Sequence, residues 1–321
     1  AKIKDIWGQE HDLVTENIQI LFTKSQFKLW KYYKNWDHYK QCFKENGCSL
    51  SRTNYEEDYI PDTDMCYQML QTLTDFTDEE LDAFAAPAQK RIQELAQDKY
   101  AMLRTLGADR TSWRPYQKAL AIYPELLRDG LAKESIKAIK KRMVLNARSG
   151  KIRCQNKRLF AIPDMYAACE FWFLGEKEPQ GLLRDGEVFC RPYSAKEKIA
   201  CLRSPHLYME WTVRAINKQE NTARWFQTNG VYTSCHDLIS RVLQFDVDGD
   251  QLNCVADPLL IEIAERNLRE YQVVPLYYDL GKASPEQLSK QTLFHGLKRA
   301  HDYSGIGQIS NSLTKLWNRP Q

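Results

Sequence analysis

Long hydrophobic runs are missing from this sequence of 321 residues. No apolar stretch reaches the roughly 18 residues that a transmembrane helix needs, and no secretory signal opens the chain. The nine cysteines are scattered and contain no CxxC pair, which argues against a disulfide framework or a zinc site. Internal repeats and low-complexity tracts are also missing. We therefore expect no membrane partner and a reduced, cytoplasmic setting.

A large excess of one charge sign is missing as well, because the formal net charge is only +3. This balance neither requires nor excludes nucleic acid, so the distribution of charge matters more. Thr53 to Gln89 contains no Lys or Arg, whereas Lys133 to Arg158 contains ten basic residues and one acid, Glu134. Such a run is most often a solvated helix face, but this imbalance favours contact with a nucleic-acid backbone.

The pattern along the chain predicts four regions. Residues 1–60 mix β-like runs such as NIQILFT with a basic aromatic stretch. Residues 61–149 have helical spacing, including a capping-box pattern from Thr77 to Glu80. Residues 150–260 alternate Gly, Pro and short apolar runs, which indicates a β-rich module, and residues 261–321 return to helix. The apolar runs of the third region are RLFAIPD, FWFLG, GEVFCRPY, KIACLRSPH, GVYTS, RVLQF and QLNCVAD.

The stretch QFDVDGDQLNCVAD places Asp246, Asp248 and Asp250 at alternate positions between two predicted strands. In a straight strand, residues four apart are separated by about 13 Å, whereas a divalent metal bonds oxygen at roughly 2.0 to 2.6 Å. The segment must therefore curl if its carboxylates are to share an ion, and Gly249 permits the backbone angles of a tight curl.

Three interpretations of this acidic loop compete. A polar hairpin turn is the simplest, because Asp-Gly is a common turn pair. An EF-hand calcium loop would need Gly and Glu where this sequence has Gln251 and Asp257, so that interpretation is weak. A magnesium site for phosphoryl or nucleotidyl transfer fits the spacing and the flanking strands.

Four motifs in order resemble those of the two-barrel RNA polymerases. FDVDGD resembles their DxDGD loop, and ILFTKSQFKLW is similar to the element that ends their first barrel, with Lys28 matching its lysine. GEVFCRPYSAKEKIACLRSPHL resembles the run that begins the second barrel, where Arg203 and Pro205 take the place of its basic residue and proline. SGIGQISNSLTKLWN is similar to the GxIxNxH helix that follows, with Thr314 or a neighbour in the place of its histidine. The chain looks closest to the YonO-like phage and prophage polymerases and to the cellular RNA-dependent RNA polymerases.

This resemblance implies an α+β fold in which a double-psi β-barrel catalytic module occupies residues 150–260. Residues 1–60 would be the C-terminal part of a first barrel, residues 61–149 a helical connector and residues 261–321 a C-terminal helical segment. Because AKIKDIWG has no start signal, we expect the N-terminal part of the same polymerase to be missing from this chain.

The implied activity is template-directed RNA synthesis by two-metal nucleotidyl transfer. Asp246, Asp248 and Asp250 would hold Mg²⁺, with Mn²⁺ as a possible substitute. Lys28 would be catalytic and bind nucleotide phosphate, and Arg203 and Asn311 would bind nucleotide or nucleic acid.

The expected partners are NTPs, a nucleic-acid template and the RNA product, in a bacterial or phage-infected cell. A DNA template is favoured over RNA because the YonO-like polymerases transcribe DNA. An RNA-dependent RNA polymerase remains an alternative, as does another magnesium-dependent phosphotransferase or nuclease.

Overall fold

The computed structural model describes residues 2–24, 26–51, 57–109, 114–205, 207–270, 281, 286–302 and 305–317. Ser25, His206, Ser304 and Asn318, which belong to the motifs above, lie outside the described residues. The strands are β1 (Lys2–Lys4), β2 (Glu10–Asp12), β3 (Asn156–Pro163), β4 (Glu187–Cys190), β5 (Lys198–Leu202), β6 (Thr212–Ile216), β7 (Val231–Thr233) and β8 (Gln251–Val255). The helices are α1 (Trp36–Glu45), α2 (Tyr67–Leu70), α3 (Asp78–Gln97), α4 (Lys99–Leu106), α5 (Pro115–Ile122), α6 (Gly130–Arg148), α7 (Met165–Cys169), α8 (Glu220–Trp225), α9 (Ile239–Leu243), α10 (Pro258–Glu270), α11 (Lys290–Asp302) and α12 (Ile306–Trp317).

Strands β3 to β8 close into a six-stranded barrel in the order β3-β7-β4-β6-β5-β8. The pairs β3/β7 and β4/β6 are parallel, and the other four are antiparallel. Side chains alternate across the barrel wall, as the two-residue repeat of a strand requires. In β5, Ile199 and Cys201 join the inner core, while Ala200 and Leu202 join a second core that includes side chains of α2 and α10. The predicted α+β fold with a β-rich module is therefore confirmed as a mixed fold with a closed barrel.

In the helical region before the barrel, the long helix α3 begins where the sequence predicts. The Thr77 backbone N–H donates to the Glu80 carboxylate at 3.0 Å, and the Glu80 N–H donates to the Thr77 hydroxyl at 3.2 Å, which completes a capping box. Helix α3 then packs against α4 and α6. The proposed division of the chain at residues 60, 149 and 260 stays a prediction.

An arginine on α10 joins this helical region to the barrel side of the molecule. The guanidinium of Arg266 donates to both oxygens of Glu80, at 2.7 and 2.9 Å, and to the Asp75 carboxylate at 2.5 Å. The hydrogen bonds from Arg266 lower the pKa of Glu80 to about 2. The same carboxylate therefore caps α3 and receives the arginine, so the start of α3 and its attachment to α10 depend on one another.

Two of the predicted strands are wrong. LISRVLQF contains helix α9, in which Ile239 and Leu243 are buried four residues apart while Leu238 is exposed. FWFLG belongs to a helical turn, Glu170–Leu174, that continues α7 and leaves its large side chains exposed. A short apolar run does not distinguish helix from strand by periodicity alone, and here neighbouring turns decided the outcome.

Two further segments differ from the sequence prediction. NIQILFT, predicted to be β-like, forms no described strand, and Ile20 and Phe22 are 67% and 59% exposed. Strand β6 was not predicted, because Arg214 interrupts its apolar pattern. That charge is accommodated by a two-point ion pair with the buried carboxylate of Asp237.

Lipid-spanning structure was not expected, and none of the helices in the described ranges has both the length and the apolar character to cross a bilayer.

We expect Arg266→Met to lower the urea midpoint of unfolding at pH 7 because the Glu80 and Asp75 carboxylates lose their shared donor. Glu80 has a folded pKa of about 2, below its ordinary 4.5, so its contribution is present above pH 4.5 and is lost as the pH falls towards 2. The difference between wild type and variant should therefore shrink over that interval. Arg269→Met, which removes an exposed arginine three residues along α10, is the matched control. Equal losses in both variants, or a difference independent of pH, would contradict the prediction.

Candidate active site

The acidic loop curls between α9 and β8 and presents its carboxylates on one side. Phe245 is buried in the inner core of the barrel and Val247 packs against that core. The alternate residues Asp246, Asp248 and Asp250 do not belong to that core, and Asp246 is exposed. The alternation of aspartates with apolar residues, which suggested the metal site, thus also anchors the loop, because the apolar residues Phe245 and Val247 pack in or against the core.

The curl itself is closed by a hydrogen bond within the loop. The backbone N–H of Asp246 donates to a carboxylate oxygen of Asp250 at 3.0 Å. Gly249 has a φ of +122°, a conformation that other residues rarely adopt, so a side chain at this position would strain the turn. On the barrel side, the N–H of Ala161 donates to the Asp250 carbonyl at 2.9 Å and joins the loop to β3.

Arg203, the first residue after β5, bridges the two ends of the loop. Its Nη1 donates to the carbonyl of Gln244 at 2.6 Å, and its Nη2 lies 2.9 Å from the Asp250 carboxylate. The sequence did not indicate a role for Gln244, which ends α9 with a φ of +54°. No sequence signal marks such a residue, because a left-handed glutamine is uncommon. The proposed contact of Arg203 with nucleic acid stays a prediction.

Lys28 reaches the same loop from the other end of the sequence. Its ammonium forms an ion pair with Asp248; Lys28 is 67% exposed and Asp248 14% exposed. The hydrogen bond to Asp248 raises the pKa of Lys28, and the charges of Asp246 and Asp250 raise it further. All three carboxylates therefore act on one ammonium group, as the combination of the SQFK and DxDGD motifs led us to expect.

An aromatic cluster positions Lys28. The neighbouring Phe27 contacts Tyr39 edge-on with ring centroids 4.9 Å apart, stacks on Tyr33 at 6.1 Å and meets Trp7 at 6.2 Å. The indole N–H of Trp7 donates to the Tyr33 carbonyl at 2.9 Å. The basic aromatic stretch of the sequence is thus in part a packing unit that fixes the base of the lysine.

The donor set of the loop suits a hard divalent cation, since carboxylate oxygens are the ligands that Mg²⁺ prefers. Within the described ranges, however, no group of three or more His, Cys, Asp or Glu side chains is arranged to hold a metal ion. Two of the three carboxylates are instead paired with Lys28 and Arg203. The chemistry of the loop therefore fits a metal, and in this arrangement the two basic side chains supply the neutralising charge.

Asn311 lies on the exposed side of α12, and no described contact joins it to the acidic loop. The buried face of that helix is formed by Ser310 and Thr314, the residue compared above with the histidine of the motif. Gln68 donates to the Ser310 hydroxyl and accepts from Ser204, next to Arg203, at 3.5 Å. Helix α12 is thus connected to the segment that carries Arg203, while the assigned role of Asn311 stays a prediction.

Comparison with known proteins confirms the resemblance to the YonO-like polymerases. The chain is 45% identical, over 319 residues and 98% of its length, to the DNA-directed RNA polymerase YonO of Bacillus phage SPbeta. It spans 37% of the length of that relative. No protein-family model matches the chain. Among solved structures, the RNA dependent RNA polymerase QDE-1 from Thielavia terrestris aligns with 84% of this chain and 32% of its own, at 13% identity and a TM-score of 0.40.

We expect Arg203→Met to loosen the acidic loop, because Asp250 and the Gln244 carbonyl lose their common donor. Amide hydrogen exchange of the peptide covering residues 245–250 should accelerate about five- to tenfold, as for the loss of a partly exposed charged hydrogen bond. Arg158→Met, an exposed arginine on β3 with no described contact to the loop, is the control and should leave this peptide unchanged. Unaltered exchange in Arg203→Met would show that the bridge does not hold the curl.

Proposed function

We propose that this chain carries the catalytic barrel of a template-directed RNA polymerase, which joins NTPs to the 3′-end of a growing RNA. The observation that carries the proposal is the identity of 45% to a DNA-directed RNA polymerase across nearly the whole chain. The meeting of Lys28, Arg203 and the three aspartates at one place supports it, since these residues come from three separate motifs.

In this proposal Asp246, Asp248 and Asp250 would hold Mg²⁺ or Mn²⁺ and would help to hold a second ion that accompanies the nucleotide. When bound, the metal pair would lower the pKa of the RNA 3′-hydroxyl and support the pyrophosphate leaving group. Asp246 is the exposed member of the loop. Asp248 and Asp250 are already held by their basic partners, so binding of an ion requires these ion pairs to rearrange.

The basic side chains have a second task in the proposal. Lys28 is mostly exposed and stands beside the carboxylates, so its compact charge would bind a phosphate of the incoming nucleotide or of the RNA end. Arg203 would keep Asp250 oriented, and its planar guanidinium also suits a phosphate. Asn311 would contact nucleotide or nucleic acid from α12.

The architecture proposed for this activity is a double-psi β-barrel completed by a second barrel. Two parallel strand pairs, β3/β7 and β4/β6, within a closed six-stranded barrel support the first part. The exposed side chains of Ile20 and Phe22 support the second, because such apolar side chains are suited to packing against further chain of the same polymerase. The partners would be template, RNA product and NTPs, in the cytoplasm of a bacterial or phage-infected cell.

Asp248→Asn is expected to reduce RNA synthesis by about a hundredfold or more, because one charge at the site of transfer is lost. Its fold should persist, since the change relieves repulsion among the three acids. The assay is primer extension with NTPs and Mg²⁺, with this chain supplied with the rest of the polymerase polypeptide, and urea unfolding measures the fold.

The control for this variant is Asp185→Asn, which removes an exposed charge from the loop before β4. Near-normal synthesis by Asp248→Asn would refute the assignment of the acidic loop. Digestion of the template without extension would instead favour a metal-dependent nuclease.

The complete polymerase is expected to make RNA from DNA more readily than from RNA, as the name of its YonO relative states for that protein. Matched DNA and RNA templates at fixed ionic strength measure this preference directly. Template binding should weaken steeply with salt, because Lys and Arg contacts release counterions. A clear preference for RNA would favour the RNA-dependent alternative and leave the catalytic residues unchanged.

A further inference from the structure

Helix α6 carries a concentration of positive charge that is not part of the candidate active site. Its 19 residues include six bases and one acid, Glu134. None of the six forms a salt bridge with an acidic side chain of the described residues. The next bases along the chain behave differently, since Arg153 pairs with Asp64 and Lys157 with Asp62.

Helical geometry places most of this charge on one side. At about 100° per residue, five of the bases fall within an arc of about 100°, and Arg142 lies about 100° beyond it. We call these five residues the basic face: Lys133, Lys137, Lys140, Lys141 and Arg148. All but Lys140 are classed as exposed, and Lys140 is partly exposed.

Another side of α6 is committed to packing. Ala132 is fully buried, and Ile136, Ile139 and Met143 are half-buried on the same side of a helix that contacts α3 and α4. At about 100° per residue, the centre of the basic face lies about 120° around the helix from the centre of this buried side. The segment Thr53–Gln89, which contains the beginning of α3, carries many acids. None of its described acids forms a salt bridge with the basic face.

The spacing of the basic face matches an extended polyanion. Lys133, Lys137 and Lys141 follow one another at intervals of four residues, about 6 Å along the helix, and Lys133 to Arg148 spans roughly 22 Å. One nucleic-acid strand carries a negative charge about every 3.4 Å of axis, so this length faces about six phosphates.

We propose that the basic face of α6 binds the phosphate backbone of a nucleic-acid strand that extends from the catalytic loop. This inference rests on the proposed function and names a binding surface for its nucleic acid. Because phosphates are shared by template and product, the contact is independent of base sequence.

The chain connects this face directly to the acidic loop. Helix α6 ends at Arg148, and Gly150 turns the chain against α2, where a Cβ would lie 3.3 Å from the Tyr67 Cα. Strand β3 then runs roughly 16 Å from Asn156 to Ala161, whose N–H bonds the Asp250 carbonyl at 2.9 Å. The C-terminal end of α6 is therefore joined along the chain to β3, the strand that supports the loop.

The test measures binding of fluorescent single-stranded DNA, single-stranded RNA and an RNA–DNA hybrid to the 321-residue chain by anisotropy over a range of salt concentrations. We expect Lys137→Gln/Lys141→Gln to weaken binding roughly tenfold at low salt and to reduce the slope of log affinity against log salt by about 1.4 to 1.8, for two lost phosphate contacts. The loss should appear for all three ligands, since each offers phosphates.

Arg142→Gln/Lys177→Gln removes the same charge from exposed positions outside the basic face and is the matched control. Equal weakening by both double variants would show a general effect of net charge and would overturn the proposal, as would unchanged binding by Lys137→Gln/Lys141→Gln. Binding through α6, together with no RNA synthesis when the rest of the polymerase polypeptide is supplied, would refute the polymerase proposal alone, whereas RNA synthesis with no role for α6 would refute only this inference.

Discussion

The repulsion among three aspartates in five residues is the constraint on which the candidate site depends. Such a loop is stable only if cations or water screen its charges. In the structure Lys28 supplies one cation and Arg203 the other. The two bases come from positions far apart in the sequence, so the loop couples the N-terminal region to the barrel. Any bound metal would enter a site whose negative charge is already partly neutralised by Lys28 and Arg203.

The barrel also holds the acidic loop in position. Phe245 and Val247 hold the start of the loop to the inner core, and Asp246, Asp248 and Asp250 lie between and after these two anchors. Arg203 leaves β5 at the point where it can bond both Gln244 and Asp250. The rigid elements thus determine where the charges lie, and the loop contributes the charges and the turn. Placing a charged cluster on a closed sheet in this way limits its freedom to relax.

Charge is also divided between the surfaces of the helical region. Glu80 near the start of α3 and Asp75 just before that helix are used internally, because they receive the guanidinium of Arg266. Five of the six basic residues of α6 are exposed, and none has an acidic partner among the described residues. Charges therefore stabilise the fold in one place, and in the other they are left for the proposed contact with a polyanion.

The sequence alone determined the chemistry and the local structure that depends on near neighbours. The capping box at Thr77 was predictable, because both of its partners lie within one helical turn. So were the β-rich nature of residues 150–260, the curl at Gly249 and the association of Lys28 with the three aspartates. The last of these came from the order of motifs in a resembling family, and the spacing of residues would not have revealed it.

Tertiary structure decided what depends on distant contacts. It made RVLQF a helix and FWFLG a turn, since short apolar runs take the conformation that their neighbours permit. It selected β6 despite its arginine, because Asp237 neutralises that charge. The tertiary structure also determined which basic residues pair with an acidic side chain and which have no described acidic partner. A sequence specifies the number and order of charges, but only folding brings an opposite charge within reach of each one.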